Sequence, residues 1–227
     1  MHRLLFLLIF GLAGFAVLVA LGSWQVRRLA WKESVLAEID SRIAADPVSL
    51  PATLDPEGDR YLPVHVSGTI DGDAELLVLV SVKRVGPGYR VIAPFETADG
   101  RRILLDRGFV READRDAVRM SGRADVTGNL HWPRETDSYT PPPDPKTGTW
   151  FARDVPAMAA ELGTDPVMIV AASQTDPSVT PMPVDSAGVP NDHLQYAITW
   201  FSLAAIWATM TGYFLWRTRA GRTTEER

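Results

Sequence analysis

Two stretches of the chain carry no charge at all, Leu4–Val26 and Leu194–Trp216, each 23 residues long and dominated by apolar side chains. At 1.5 Å per residue, either stretch spans a hydrocarbon core of roughly 30 Å, so both predict transmembrane helices. A cleaved signal peptide is the other reading of the first, helped by the small residues Ala20 and Gly22. The apolar part of a signal usually has only about 7–15 residues, which makes this stretch long for that role. The second contains Tyr196, Thr199, Ser202, Thr209 and Thr211, as a buried core helix would. Its length, with Trp200 and Trp216 near the two ends like an aromatic belt, points to a span.

Charge asymmetry orients the spans. Arg217, Arg219 and Arg222 follow the second span, whereas Asp185 and Asp192 precede it. The positive-inside rule then makes 217–227 a cytoplasmic tail, and two spans return the N-terminus to the same side. Arg27, Arg28 and Lys32 directly after the first span pull the other way, but long translocated loops obey the rule weakly. Residues 29–193 hold 16 basic and 26 acidic side chains, a net of −10, and are placed outside the cytoplasm.

Within that loop the period changes. Leu29, Leu36, Ile39 and Ile43 recur at helical spacing, so the first helix (span 4–26) continues to about residue 45, before Pro47. Pro47, Pro51 and Pro56 mark an irregular linker. Strand-like runs follow at Leu62–Ile70, Glu75–Val85, Gly88–Glu96, Arg101–Val110, Ala124–Trp132 and Val167–Ala172. Leu76–Leu79 and Ile103–Leu105 are continuously apolar, as in strands covered on both faces. Turns are expected at Asp73-Ala74, Gly86-Pro87-Gly88 and Asp99-Gly100. A short helix, Val155–Leu162, is capped by Asp154 and stopped by Gly163. The fold class is therefore a membrane protein in which two transmembrane α-helices, 4–26 and 194–216, flank a mainly β (β-rich α+β) extracytoplasmic domain over 47–185.

Composition removes function classes. A formal net charge of −5, from 23 Lys+Arg and 28 Asp+Glu, argues against nucleic acid as a partner. The absence of cysteine excludes disulfides, thiol nucleophiles and Cys-ligated metals. Gly86-Pro87-Gly88 lacks a dinucleotide loop's third glycine, and no Walker loop, nucleophile elbow or metalloprotease helix occurs. Asp71-Gly72-Asp73 reads as a turn that could alternatively touch a cation. His65 and His131 stand alone in strand-like runs, as half-exposed sheet residues or as a joint metal site. Asp106-Arg107 is expected to end a strand with local ion pairs or a turn cap.

His193 differs by position, one residue before the second span. Asp192 and Gln195 have the spacing of a capping box, which places His193 in the first helical turn. The helix's positive end opposes a charged imidazole there and Asp192 supports one, leaving its state open. An interfacial histidine with no ligand is the other reading. At the end of the first span, Trp24, Arg27 or Arg28, and Trp31 share a helix face. Taken singly they are ordinary interfacial anchors. If the two helices pair, an imidazole, aromatic rings and cations converge.

At these residues the chain resembles the Surfeit locus protein 1 family of cytochrome c oxidase assembly factors. The matching stretches are Leu21-Gly-Ser-Trp24-Gln25-Val-Arg27-Arg28-Leu-Ala-Trp31-Lys32, Gly88-Tyr89 leading into Pro94-Phe95, Asp106-Arg107-Gly108-Phe109-Val110, and Pro190-Asn191-Asp192-His193-Leu194-Gln195-Tyr196-Ala197-Ile198-Thr199-Trp200-Phe201. The resemblance covers essentially the whole chain. It implies a multi-pass protein of a plasma membrane or mitochondrial inner membrane, with both termini cytoplasmic and the loop periplasmic in a bacterium. No transit sequence precedes Leu4, which fits a bacterial owner. The implied role is to assist maturation of the oxidase's largest subunit, with haem a transiently bound and no enzymatic activity. Haem a synthase is a further implied partner, beside the lipid bilayer. His193 is then the candidate ligand of the haem iron, and Asp192 stands where the family pattern has Asn.

Haem a is amphiphilic, with an isoprenoid tail suited to lipid and propionates suited to the surface. An interfacial His193 can supply an axial ligand, Arg27, Arg28 or Lys32 can pair with propionates, and Trp24 and Trp200 can cover the macrocycle. The competing readings are a cofactor-free membrane scaffold for an assembly intermediate and, weakest, an enzyme acting on haem or quinone.

Overall fold

Helix α1 (His2–Ile43) is continuous for 42 residues, about 63 Å at 1.5 Å per residue. That is twice the thickness of a hydrocarbon core, so the helix expected to leave the membrane does continue as one rod. It frays after Ile43 through Ala44 N–H to Asp40 O and Ala45 N–H to Arg42 O, and Pro47 follows. The computed structural model describes residues 2–225, leaving aside the side chains of 3, 4 and 220–225. The last helix, named α3 below, runs His193–Glu225. Its helical part includes most of the expected tail; the side chain of Arg222 and residues 226–227 lie outside the described residues. Both long helices are apolar enough to cross a membrane, over Leu5–Ile43 and His193–Arg219. The chain forms two compact units: the residues up to Glu38 with those from Ala187 onward, and Ile39–Ser186.

The unit of the long helices is an antiparallel pair. A side chain on Gly11 would strike Thr211, one on Gly14 the indole of Trp207, and one on Gly22 the ring of Phe201. Partner numbers fall on α3 as they rise on α1, and Ala197 and Ala204 are buried in the same seam. Lipid tails are as apolar as leucine, so small residues that let two helices approach supply the packing. Phe6, Ile9, Leu12 and Val17 on α1, with Ile198, Ile206 and Met210 on α3, stay exposed, as lipid-facing positions require.

The second unit holds β1 (Val48–Ser49), β2 (Pro63–Ile70), β3 (Leu76–Val82), β4 (Gly86–Thr97), β5 (Arg102–Arg111), β6 (Gly122–Leu130), β7 (Thr149–Trp150), α2 (Val155–Leu162) and β8 (Met168–Ala171). The sheet order is β1-β2-β6-β8-β5-β4-β3-β7, and β2 also pairs with β4, which closes β2, β6, β8, β5 and β4 into a barrel. Closure is made by Gly68, Thr69 and Ile70 facing Thr97, Glu96 and Phe95. Within the barrel only β5 and β8 run parallel.

Alternation along the strands sorts two cores. Val64, Val66, Ala93, Phe95, Ile103, Leu105, Ile169 and Ala171 fill the interior. The residues between them, Ile92, Leu104 and Met168, face outward and are covered by Val155, Met158 and Ala159 of α2. This is why Ile103–Leu105 is continuously apolar: each face has its own lid. Helix α2 has the expected ends, Asp154 accepting from Ala157 N–H and Gly163 closing at φ +61°.

Three expectations change. Leu76–Leu79 is not covered on both faces, because β3 lies outside the closed barrel and Leu79 is exposed. The turn expected at Gly86–Gly88 falls earlier, at Lys83–Val85, with Gly86, Pro87 and Gly88 already paired to Val82, Ser81 and Val80. Asp106 and Arg107 do not end a strand. They lie within β5 at a bulge where Val91 pairs with Gly108 but Ile92 with Asp106, so Arg107 is the extra residue.

Candidate functional site

The seam of the helix pair ends at a polar contact. His193 is the first residue of α3, and Asp192 O already accepts from Tyr196 N–H, as a residue at the N-cap does. The His193 Nδ1 lies 2.8 Å from Oε1 of Gln25, a buried side chain of α1. A carboxamide oxygen only accepts, so Nδ1 is the donor in this contact and Nε2 lies outside it. A metal-binding histidine is usually held in this way, by an acceptor on its other ring nitrogen that fixes the tautomer and the ring.

Other expected residues sit around this contact at helical angles. Lys32 stands two turns beyond Gln25 and donates from Nζ to Pro190 O, pinning the approach to α3. Arg28 lies one turn along, its guanidinium 3.9 Å above the Trp31 ring. Trp24 and Trp31 are both 51% exposed. Arg27 is turned roughly 160° from Gln25 at about 100° per residue, so of the two arginines Arg28 is the one beside Lys32. Trp200 is half-buried, two turns into α3 on the helix face that carries His193. Gln25 was not among the expected site residues. Its signal was available: it is the only carboxamide in the uncharged stretch, where an unpaired polar group is costly.

The remaining candidates lie in the β unit. His65 is exposed on β2 with Nδ1 3.1 Å from Thr127 Oγ1. His131 is stacked on Tyr61, ring centres 5.5 Å apart. Among the described residues no group of three His, Asp or Glu is placed to hold a metal. Asp71 caps its turn through Asp73 N–H and pairs with Arg102 at 2.9 Å, the turn role expected of it.

Asp106 and Arg107 open two buried charge networks. Asp106 is fully buried; it binds Arg90 and, at 3.1 Å, Arg153, and accepts from Gly108 N–H. Arg153 also grips Glu135. Burial opposes the charge on both partners, but their mutual hydrogen bonds outweigh it: Glu135 is held below the usual carboxylate range and Arg153 above its ordinary value. Arg107, also fully buried, binds Glu75, which binds Arg119 at 2.8 Å. The bulge makes both networks: without the extra residue, consecutive side chains would point to opposite faces of a regular strand.

Comparison with known proteins adds the lineage. The SURF1 family model matches residues 12–205. Surfeit locus protein 1 of Rattus norvegicus is 32% identical over 230 residues, covering 92% of this chain and 74% of the relative. That of Homo sapiens is 33% identical over 208 residues, covering 82% and 69%. A SURF1-like protein of Monosiga brevicollis is 33% identical over 213 residues, covering 86% and 82%. The matched region takes in α1 from Leu12, the barrel, and α3 past His193 and Trp200, so that the chain belongs to the SURF1 family.

Proposed function

We propose that this chain is a non-enzymatic assembly factor for a haem–copper cytochrome c oxidase, as members of its family are known to be, and that haem a is its cargo on the way to the largest subunit. The observation that carries the cargo reading is the His193–Gln25 contact, which orients the ring and leaves Nε2 outside the contact. The donor set fits a haem: one imidazole for the iron, Arg28 and Lys32 on neighbouring angles of α1 for propionates, and Trp24 and Trp200 as aromatic surface. Haem a bound there would supply an iron that takes an axial nitrogen. The chain's residues orient that nitrogen, offer cations, and leave the apolar tail to the lipid-facing helices. A single protein ligand favours release over storage, as transfer requires.

The topology proposed with this role places both termini in the cytoplasm and the barrel on the periplasmic side of a plasma membrane. There it can meet the oxidase subunit and haem a synthase within the lipid bilayer. A reporter active only outside the cytoplasm should work when fused at Pro142 and fail when fused after Arg222; the reverse pattern overturns the topology.

The cargo is tested by the absorption spectrum of the full-length protein purified from cells that make haem a. His193→Ala should abolish or strongly reduce co-purified haem while membrane insertion is kept, because one residue at the helix start contributes little to span hydrophobicity. Unchanged haem content and spectrum would remove His193 as ligand, with His65 and His131 next to test. A wild-type protein that carries no haem would leave a cofactor-free scaffold as the working description.

A further inference from the structure

The β unit contains a cavity of about 430 Å³, lined by Tyr61, Arg90, His131, Arg153 and the strap 181–185. That volume lies within the range of roughly 300–1,000 Å³ typical of small-molecule sites. Its lining lies wholly in the β unit, and nothing in the role proposed above uses it.

The cavity is built from held side chains. Arg90 and Arg153 are anchored from behind by Asp106, and Arg153 also by Glu135, so both guanidiniums are fixed with side chains only 12% and 11% exposed. Arg90 also donates 3.2 Å to Met182 O, which ties the strap across the opening. A guanidinium has five N–H donors; these contacts engage two on Arg90 and three on Arg153. Both therefore keep donors for a further acceptor. His131 forms the aromatic wall with Tyr61, and its Nδ1 is closed to solvent without a hydrogen-bond partner. Burial foremost, then the charge of Arg153, pushes its pKa down to about 4, so the ring adds no charge at neutral pH.

We propose that this cavity binds a carboxylate, received by the free N–H groups of Arg90 and Arg153 and flanked by the Tyr61–His131 wall. Two forks converging on one space match the paired oxygens of a planar acid. Asp106 and Glu135 already answer the two guanidiniums and Asp185 lines the same cavity, so a second negative charge on the ligand meets repulsion from these carboxylates. Such a group comes either from a small organic acid or from the chain terminus of a protein partner.

Calorimetric titration of the full-length protein in detergent micelles separates these. Benzoate, a peptide with a free terminal carboxylate, the same peptide amidated, and inorganic phosphate are the probes. Saturable binding of benzoate or the acid peptide, with phosphate weaker and the amide silent, supports the proposal. Benzoate alone identifies a small acid as the source, and the acid peptide alone a chain terminus. The paired substitution Arg153→Gln with Glu135→Gln removes one cation without stranding a carboxylate, and should weaken binding about tenfold or more. Arg90→Lys keeps the charge and removes the fork, and should weaken it less. Circular dichroism confirms that each variant is folded. The proposal is overturned by no saturable binding of either carboxylate, by phosphate binding more tightly, or by equal affinity in folded variants.

Discussion

In the β unit, Arg107 is fully buried yet shares Glu75 with Arg119, and Asp106 answers two guanidiniums and an amide. In the helix pair, the buried Gln25 meets His193 across the seam, and the second ring nitrogen lies outside the contact. Both regions bury polar groups, but to different ends. In the barrel, Asp106 and Glu75 are each matched by two guanidiniums, because an unpaired buried charge costs far more than its partner gains. In the helix seam, the contact is of the size that orients a group without holding a fold. Paired carboxylates hold the shape of the barrel, whereas the single contact of the helix seam orients one ring.

The largest effect that can break this contrast is Asp106→Leu. It strands Arg90, Arg153 and the Gly108 amide together, and should cost the barrel about 3–5 kcal/mol, read as a lower denaturant midpoint of the full chain. An unchanged midpoint would mean that water already serves these groups.

Gln25→Leu probes the other side. Loss of the acceptor should leave the helix pair nearly as stable, since hydrogen bonds between membrane helices average only about 0.6 kcal/mol. Haem retention should nevertheless fall 10–100-fold, the usual effect of removing the group that orients a ligating histidine. Strong destabilisation without a change in haem content would reverse the assignment and make the contact structural.

His131 sharpens the comparison through pH. Its folded pKa of about 4 lies below its ordinary 6.5, so the unfolded chain binds the proton more readily between those values. Its contribution is complete above pH 6.5 and is lost as pH falls toward 4, by about 1–2 kcal/mol after allowance for its partial exposure. His131→Gln should therefore destabilise less than wild type on acidification to pH 4; an identical slope would assign the acid sensitivity to carboxylates alone. The smallest effect is expected at Arg28, stacked over an exposed Trp31. Arg28→Gln should cost no more than about 0.5–1 kcal/mol in stability, checked by thermal unfolding.

Much of this architecture was legible along the chain. A 23-residue uncharged stretch has few ways to satisfy its backbone outside a helix in lipid, and period-2 runs between Gly, Asp and Pro have few alternatives to strands. Asp154 and Gly163 announced α2, since a cap acts on its own helix end. His193 was legible because its place beside a span is a one-dimensional fact.

What needed the third dimension was everything set by pairing between distant segments. Closure of the barrel rests on β2 meeting both β4 and β6, and no property of Gly68–Ile70 alone requires two neighbours. Arg107 was expected to make local ion pairs or cap a turn, because its partners Glu75 and Asp176 are 32 and 69 positions away, and the bulge at Arg107 appears only in the register of β4 against β5. Gln25 passed as one polar residue in a span until α3 brought His193 to it. Local sequence determines what a segment becomes, through backbone satisfaction and periodicity. Which buried polar groups find partners, and which nitrogen is left over, is decided by tertiary contact, because a hydrogen bond depends on position in space and not on separation along the chain.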